Sequence, residues 1–433
     1  MEILTGVILV FGFLILAMLG LPIPFAFLIP SLIGLLIIGG TNALGIAARY
    51  TFSTANSFVI LAIPLFILMG ELINRSGIGK DVYNTLEKWT NRIPGSLLIA
   101  NILGCTALSA CTGSSIATST TMAKASVPRL LPRKYDKSLV CGSLGGGSLG
   151  HLIPPSAGFI IFGYLTDVSI GKLFIAGIIP GIMLETLFIL YIIVRVSLKP
   201  SLAPPPDEII TWRDRIVSLW YFWPFPVIIG GVLGSIYMGV ATPSEAAAVG
   251  AMAVIVISFI RRSLPFHVFK EAVVSTARTT SWLIMVLFAG MVFSNVIIRL
   301  GVGKALATFV TGSGFPPLMM LFVMLLIYVF LGTFLEGATI LVLTAPTFVP
   351  IVGLMGYDLV WFGVMVMITI EIGLISPPVG LVCYVIAETT QPFGITLEDV
   401  FKGNIPFSLL MITGMTILLL FPDIALWLPA QMK

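Results

Sequence analysis

The segment "GSLGGGSLGHLIPPSAGFIIFGY", residues 142–164, lies inside an uncharged stretch long enough to cross a membrane, yet its composition interrupts a helix. It combines a run of glycines with His151 and two consecutive prolines, Pro154 and Pro155. Proline lacks an N–H donor and clashes with the preceding turn, so a helix breaks there. In hydrocarbon, the freed carbonyl groups are tolerated only where they face protein, water or an ion. The segment therefore predicts a discontinuous transmembrane helix with unwound backbone near its middle.

The composition of the whole chain supports a membrane environment. Hydrophobic residues make up 58% and charged residues 10% of the 433 residues, whereas soluble domains carry about 25% charged residues. Several uncharged runs exceed the roughly 20 residues that a span needs, so we expect an all-α polytopic membrane protein. With the basic segment 128–137 in the cytoplasm, most of the 23 Lys and Arg residues fall on that side, as the positive-inside rule requires. The basic charge thus sets orientation and does not indicate binding to nucleic acid.

Three groups of residues recur in the same order, 222 to 224 positions apart, which predicts a duplicated unit. We expect repeats at residues 1–197 and 221–433, joined by a cytoplasmic linker at 198–220. The first R-x-G-x-G-K segment threads inside and the second outside, so the repeats are expected to be inverted, as in many secondary transporters. The recurring groups are Arg75, Gly77, Gly79 and Lys80 with Arg299, Gly301, Gly303 and Lys304; Pro128, Tyr135 and Asp136 with Pro350, Tyr357 and Asp358; and Gly150, Pro154 and Pro155 with Gly373, Pro377 and Pro378.

Each repeat is predicted to contain a re-entrant hairpin before its broken helix. The stretch between Pro94 and Pro128 is too short for two spans, which need about 40 residues, and its centre at Thr112–Ser115 is small and polar. The second tip is expected near Glu336–Thr339. A single kinked span remains the alternative for each hairpin, and a plain proline kink for each break. The expected boundaries are about 95–128 for the hairpin and 138–166 for the broken helix in the first repeat, and about 316–350 and 358–390 in the second.

The pairing of a polar hairpin tip with unwound carbonyls predicts a cation site in each repeat. Backbone and hydroxyl oxygens without fixed carboxylates form a cage that suits a small hard cation such as sodium. We therefore expect at least two sodium sites. The expected ligands are Thr112, Ser114, Gly150, Ile153 and Pro154 at the first site, and Gly337, Thr339, Gly373, Ser376 and Pro377 at the second.

Four segments in order resemble the large membrane subunit of tripartite ATP-independent periplasmic (TRAP) transporters. They are "CTGSSIAT" (111–118), "LGHLIPPSAGFIIFGYLT" (149–166), "GVATPSEAAAVGA" (239–251) and "IGLISPPVGLVCYVIA" (372–387). The resemblance covers essentially the whole chain and implies an elevator-type fold of the ion-transporter superfamily. It further implies sodium-driven symport of a small organic acid anion across the bacterial inner membrane. A periplasmic substrate-binding protein and a small four-helix membrane subunit are the implied partners, besides membrane lipid.

An anionic substrate would require positive potential at the membrane midplane. The helix N-termini that follow the two hairpin tips each supply about half a positive charge. The substrate contacts are expected to include Ser115, Lys124, His151 and Glu336. His151 has packing as its alternative role, and Lys124 has snorkelling to the cytoplasmic edge. Glu336 and Glu371 are intramembrane carboxylates, which are functional candidates by default.

Other classes of function fit the sequence less well. An ion channel would need a continuous pore, whereas paired cages favour alternating access; a carrier coupled to a different ion is a closer alternative. A membrane enzyme would need a nucleophile–base or metal set. The chain has only His151 and His267, with no H-E-x-x-H and no G-x-S-x-G motif. The sequence alone does not identify the substrate.

Overall fold

The computed structural model describes residues 2–205, 210–312 and 314–432, and these residues form α-helices and short 3-10 turns without a strand. Among the described residues, six helical stretches are long and apolar enough to cross a membrane, or seven if one bent pair counts as a span; one of them, Ile23–Ala55, comprises both α2 and α3. The first half contains α1 (Glu2–Met18), α2 (Ile23–Gly39), α3 (Leu44–Ala55), α4 (Ala62–Arg75), α5 (Ile78–Thr90), α6 (Ser96–Thr112), α7 (Ser115–Leu130), α8 (Lys137–Gly146), α9 (Ala157–Thr166) and α10 (Ile170–Leu198).

The second half begins within the predicted linker 198–220, of which residues 206–209 lie outside the described residues and residues 212–220 are helical. It contains α11 (Trp212–Phe222), α12 (Pro224–Tyr237), α13 (Pro243–Ile260), α14 (Phe266–Arg299), α15 (Val302–Gly312), α16 (Pro317–Gly332), α17 (Gly337–Leu354), α18 (Leu359–Leu374), α19 (Leu381–Thr390), α20 (Leu397–Leu420) and α21 (Asp423–Ala430). The helices α6 and α7 correspond to α16 and α17, and the pair α8 and α9 corresponds to α18 and α19.

The first hairpin turns sharply between α6 and α7. Gly113 has a φ of +60°, a left-handed conformation that costs glycine little. Ser114 then caps α7 by accepting a hydrogen bond from the Ala117 amide at 3.4 Å. In the second hairpin the structure places the turn at residues 333–336, so that Glu336 directly precedes the first residue of α17.

The two broken helices begin with matching caps. Asp136 accepts the Leu139 amide at 3.0 Å, and Asp358 accepts the Val360 and Trp361 amides at 2.8 and 3.0 Å. The helices on either side of the first break, α8 and α9, have 10 residues each. At 1.5 Å per residue each is about 15 Å long, half the roughly 30 Å of bilayer hydrocarbon. The first break therefore lies near the middle of the membrane.

Each hairpin tip packs directly against the break of its own repeat. A Cβ added to Gly150 would lie 2.4 Å from the Ser115 amide nitrogen. In the second repeat a Cβ on Gly373 would lie 2.6 Å from the Gly332 Cα, and the Gly380 amide donates to the Thr333 carbonyl at 3.0 Å. Because the first break lies at mid-depth, the tip that touches it does too. The expected fold class, an all-α membrane protein with paired hairpins and paired broken helices, is confirmed.

The helices pack in two groups around the hairpin tips and the breaks. Helix α4 packs on α13 and α14, and α14 also packs on α2. In a second group, which includes both breaks, α7 packs on α19, α8 on α20 and α16 on α18. The two groups meet where α4 and α5 face α6 and where α14 faces α17. In α13, Thr242 and Glu245 form a capping box in which Glu245 accepts the Thr242 amide at 2.8 Å. A large cavity lies where the two groups meet.

Candidate functional site

A cavity of about 630 Å³ lies between the two hairpin tips and the helices that face them. The tips and the first break supply one wall, and α2, α4 and α14 supply the other. Residues from both repeats therefore line a single space. The lining from the hairpins and the first broken helix is Thr112, Gly113, Ser114, Ile116, Ala117, Thr121, His151, Ala157, Gly158, Ile161, Glu336, Ala338 and Thr339; the facing helices contribute Ile23, Ile67, Glu71, Asn74, Arg75, Thr279, Trp282 and Leu283.

A buried hydrogen-bond network joins the first hairpin, the first break and the second broken helix. The Ser115 hydroxyl lies 2.6 and 2.8 Å from the two carboxylate oxygens of Glu371, a residue of α18. The same carboxylate accepts the His151 amide at 2.7 Å, and His151 Nδ1 lies 3.0 Å from it. The Gly150 amide in turn donates to the Ser115 hydroxyl at 2.9 Å. One glutamate thus holds two elements of the opposite repeat together.

His151 also reaches the second hairpin. A Cβ on Gly337 would lie only 2.3 Å from His151 Nε2, so the imidazole edge abuts the first residue of α17. The carbonyl of His151 accepts the Ser156 hydroxyl at 2.6 Å, which fixes the break behind it. The helices α7 and α17 both begin at this cavity. The positive N-terminal ends of these helices favour an anion there.

The facing wall carries an ion-pair cluster on α4 and α14. Arg75 lies 2.8 Å from Glu71 and 2.8 Å from Glu271, and Ser275 donates to Glu71 at 2.8 Å. Across the cavity, the Glu336 side chain has no hydrogen bond to any described residue. Two carboxyl groups and one guanidinium therefore line the cavity.

The residues predicted as cation ligands fall into two sets. Thr112, Ser114 and Thr339 line the cavity, and the Thr112 hydroxyl lies 2.8 Å from that of Thr118. The others lie at the breaks behind it. At the first break, Gly150 packs on the hairpin, and Ile153 and Pro154 face a second cavity. Around the second break, Gly337 abuts His151, Gly373 packs on Gly332, Ser376 lies 3.4 Å from the Ser408 hydroxyl, and Pro377 is exposed.

The predicted substrate residues are also divided. His151 and Glu336 line the cavity. Ser115 is fully buried behind the tip and bonds Glu371. Lys124 is exposed on α7 and is not part of the cavity lining.

Sequence reasoning did not select Arg75 or Glu71 as cavity residues, and it identified Glu371 as a candidate without its partners. Arg75 had a signal, because it belongs to the repeated R-x-G-x-G-K segment. Glu371 is separated by 256 positions from Ser115 and by 220 from His151. Only the packing of one repeat on the other brings these residues together.

The sequence and the fold of the chain are similar to those of known proteins. The family "Tripartite ATP-independent periplasmic transporter, DctM component" matches residues 10–424. The chain belongs to this family. It is 30% identical over 387 residues to the C4-dicarboxylate TRAP transporter large permease protein DctM of Pseudomonas aeruginosa, covering 87% of the chain and 88% of that protein. It is 29% identical over 426 residues to the sialic acid TRAP transporter large permease protein SiaM of Vibrio cholerae, with 97% of each covered.

A third relative is the 2,3-diketo-L-gulonate TRAP transporter large permease protein YiaN of Escherichia coli, 30% identical over 385 residues and 88% of each chain. Among solved structures, the Alcanivorax borkumensis YdaH transporter matches with a TM-score of 0.64 over 98% of both chains at 13% identity, which shows a shared fold. The protein is therefore the large membrane subunit of a TRAP transporter, a multi-pass protein of the inner membrane.

Proposed function

We propose that this TRAP subunit is a sodium-coupled symporter that imports a small organic acid anion by an elevator movement. The observation that carries the proposal is the single cavity at which both hairpin tips, both second-arm N-termini and His151 converge. Such a site at the interface of two repeats is where secondary transporters bind their substrates.

The proposed substrate class follows from the positive groups at the cavity. The N-termini of α7 and α17 border it, and Arg75 lies on the facing wall. Amides at helix N-termini and guanidinium groups both bind carboxylates well. The related permeases are named for C4-dicarboxylate, sialic acid and 2,3-diketo-L-gulonate, which all carry an acid group.

Sodium coupling fits the charge balance of the cavity. With Glu71 and Glu336 on opposite walls, an incoming anion would meet two carboxylates and one guanidinium. Two bound sodium ions would reverse this balance, so substrate affinity would depend on sodium. We assign one ion to the first hairpin and break and one to the second, with hydroxyl oxygen from Thr112, Ser114 and Thr339. Backbone oxygen would come from Gly150, Ile153 and Pro154 at the first site, and from Gly337, Gly373, Ser376 and Pro377 at the second.

The elevator movement would carry the hairpins and broken helices past the facing helices. These elements pack as two groups, which contact each other where α4 and α5 face α6 and where α14 faces α17, and the cavity lies between them. Arg75, which lies at the cytoplasmic end of α4 by the charge distribution, lines the cavity. We interpret this arrangement as the inward-facing state, from which the substrate leaves to the cytoplasm.

Two protein partners complete the proposal. The family name denotes a tripartite system, and we assign to this chain a small four-helix membrane subunit and a periplasmic substrate-binding protein. The binding protein would select the substrate, so ligand screening on the binding protein that works with this chain should identify it. The large subunit alone should transport poorly.

Uptake into proteoliposomes that contain both membrane subunits tests the proposal. With the binding protein and its ligand outside, an inward sodium gradient should drive saturable uptake that ATP does not change. Unchanged uptake in choline or potassium would rule out sodium coupling. Flux that does not saturate would favour a channel, and substrate turnover in detergent without a gradient would favour an enzyme. Equal uptake by this chain alone would contradict the assigned partners.

A further inference from the structure

A second cavity, of about 440 Å³, lies behind the first hairpin and contains a buried acid that the transport site does not use. Its walls come from α6, α10 and the first break on one side, and from α5, α12 and the last residue of α11 on the other. Glu185 is the one ionisable residue in this lining. It lies roughly 20 Å from either end of α10, and therefore near the middle of the bilayer.

Only half of the Glu185 carboxylate is satisfied. One oxygen accepts a hydrogen bond from the Thr106 hydroxyl on α6, whereas Oε2 is buried without a partner among the described residues. The residue is 6% exposed. A buried carboxylate without a positive partner is costly, and an ionisable residue inside the membrane usually has a named partner or a function. No basic residue among the described residues lines this cavity, so the acid is neutralised either by a proton or by a cation that the cavity binds.

The other walls identify the kind of cation that fits. The rings of Phe222 and Phe225, 6.0 Å apart between centroids, form part of the lining. Aromatic faces attract organic cations, and such rings recur in sites for quaternary ammonium groups. Apart from the carboxyl group, the side-chain oxygens in the lining are the hydroxyls of Thr106 and Thr186. These side chains alone do not complete the six or more oxygen ligands of a metal ion such as calcium, and the aromatic lining favours an organic cation.

We propose that this cavity binds a small lipophilic monocation. The Glu185 carboxylate faces the positive charge, and the Phe222–Phe225 pair with the aliphatic walls holds the apolar body. Because α6 and α10 form one wall and α5 and α12 the other, a bound cation contacts both the first hairpin and the helices α5 and α12. If the elevator movement proposed above occurs, the ligand slows it. Binding itself does not depend on that movement, so the two parts can fail separately.

Equilibrium binding of radiolabelled tetraphenylphosphonium to the purified full chain in detergent tests the site. We expect saturable binding that uncharged triphenylphosphine oxide does not displace. Glu185→Gln keeps the shape and removes the charge, so affinity should fall by at least about tenfold. The matched control is Glu388→Gln, an exposed glutamate on α19, which should bind as the wild type does. Equal affinity in Glu185→Gln and the wild type would overturn the proposal.

A second variant covers the case in which Glu185→Gln does not fold. Phe225→Leu keeps an apolar wall but removes one aromatic face, so we expect several-fold weaker binding; unchanged affinity would contradict the aromatic part of the site. In proteoliposomes, tetraphenylphosphonium should inhibit wild-type uptake more than uptake by Glu185→Gln. Since any effect of the probe on membrane potential is common to both, the difference isolates the site. Binding without this difference would overturn the restraint on the first hairpin while leaving the ligand site intact.

Discussion

Each repeat packs a hairpin tip against a broken helix, but the groups that make the contact differ between the repeats. At the first tip, hydroxyl groups dominate: Thr112 lies 2.8 Å from Thr118, and Ser115 bonds Glu371. At the second tip, backbone contacts dominate, with Gly332 against Gly373 and the Gly380 amide on the Thr333 carbonyl. The first break is buried at Pro154 and Pro155, whereas Pro377 and Pro378 at the second are exposed.

The two repeats share their backbone packing but not their polar side chains. Both tips are closed by glycines that allow backbone to approach backbone, and that requirement is common to the repeats. The polar side chains concentrate at the first tip, and the carboxylate that organises them, Glu371, comes from the second repeat. Cation binding at the first proposed site should therefore depend on side chains, and at the second site mainly on the backbone conformation.

The largest expected effect comes from removing the link between the repeats. Glu371→Ala would leave the Ser115 hydroxyl and the His151 amide buried without their acceptor. Each charge-assisted hydrogen bond contributes about 1.5–3 kcal/mol, so uptake at fixed sodium should fall at least about 100-fold. The thermal midpoint of the purified protein should fall as well.

Glu388→Ala is the matched control, because this glutamate of α19 is exposed and its loss should leave uptake and the thermal midpoint near wild type. If Glu371→Ala transported like the wild type, the network between the repeats would be incidental packing.

The glycine contacts give the next largest effect and should affect both repeats alike. A methyl group at Gly150 would lie 2.4 Å from the Ser115 nitrogen, and one at Gly373 would lie 2.6 Å from the Gly332 Cα. Backbone cannot move aside easily, so Gly150→Ala and Gly373→Ala should each destabilise the protein by about 1–3 kcal/mol and reduce uptake strongly. Denaturation of purified variants measures the first quantity.

Gly231→Ala on α12, where nothing lies within 4 Å of the added carbon, is the control and should be neutral. If only one of Gly150→Ala and Gly373→Ala showed a strong defect, the two repeats would not share the requirement for close backbone packing at the tip.

Sequence reasoning succeeded where a feature is local. Two adjacent prolines break a helix whatever surrounds them, and a polar centre in too short an apolar stretch indicates a re-entrant tip, so the hairpins and breaks could be predicted. It could not identify the partners of Glu371 or place Arg75 on the cavity, because these contacts form only when helices distant in sequence pack together. The cavity beside Glu185 escaped prediction for the same reason, since its walls come from five separate helices and the first break.

Hydroxyl removal should give a moderate effect that tests the contrast between the tips directly. Ser114→Ala and Thr339→Ala each remove one proposed sodium ligand that lines the cavity. Loss of about 1.5–3 kcal/mol would raise the sodium concentration for half-maximal uptake about 10- to 150-fold, while high sodium restores much of the rate. If the second cation site relies mainly on backbone oxygen, the rise in the sodium concentration for half-maximal uptake should be smaller for Thr339→Ala than for Ser114→Ala.

Thr120→Ala is the control on the same hairpin. Its hydroxyl bonds the Ile116 carbonyl at 2.8 Å within α7 and does not line the cavity, so sodium dependence should not change. Unshifted sodium dependence in both Ser114→Ala and Thr339→Ala would remove hydroxyl groups from the proposed cation sites.

The smallest effect is expected at Lys124, which the sequence suggested as a substrate contact. The residue lies on α7, the arm whose N-terminus borders the cavity, but it is 10 residues beyond the Ser114 cap and its side chain is exposed outside the cavity lining. Ten residues of helix extend about 15 Å, so Lys124 lies far from the hairpin tip that borders the cavity. Lys124→Ala should therefore change the substrate KM by less than about twofold, whereas Arg75→Ala, on the cavity wall, should raise it. A larger KM effect at Lys124 than at Arg75 would mean that the substrate contacts α7 well away from the tip, and that the cavity between the hairpins is not the main binding site.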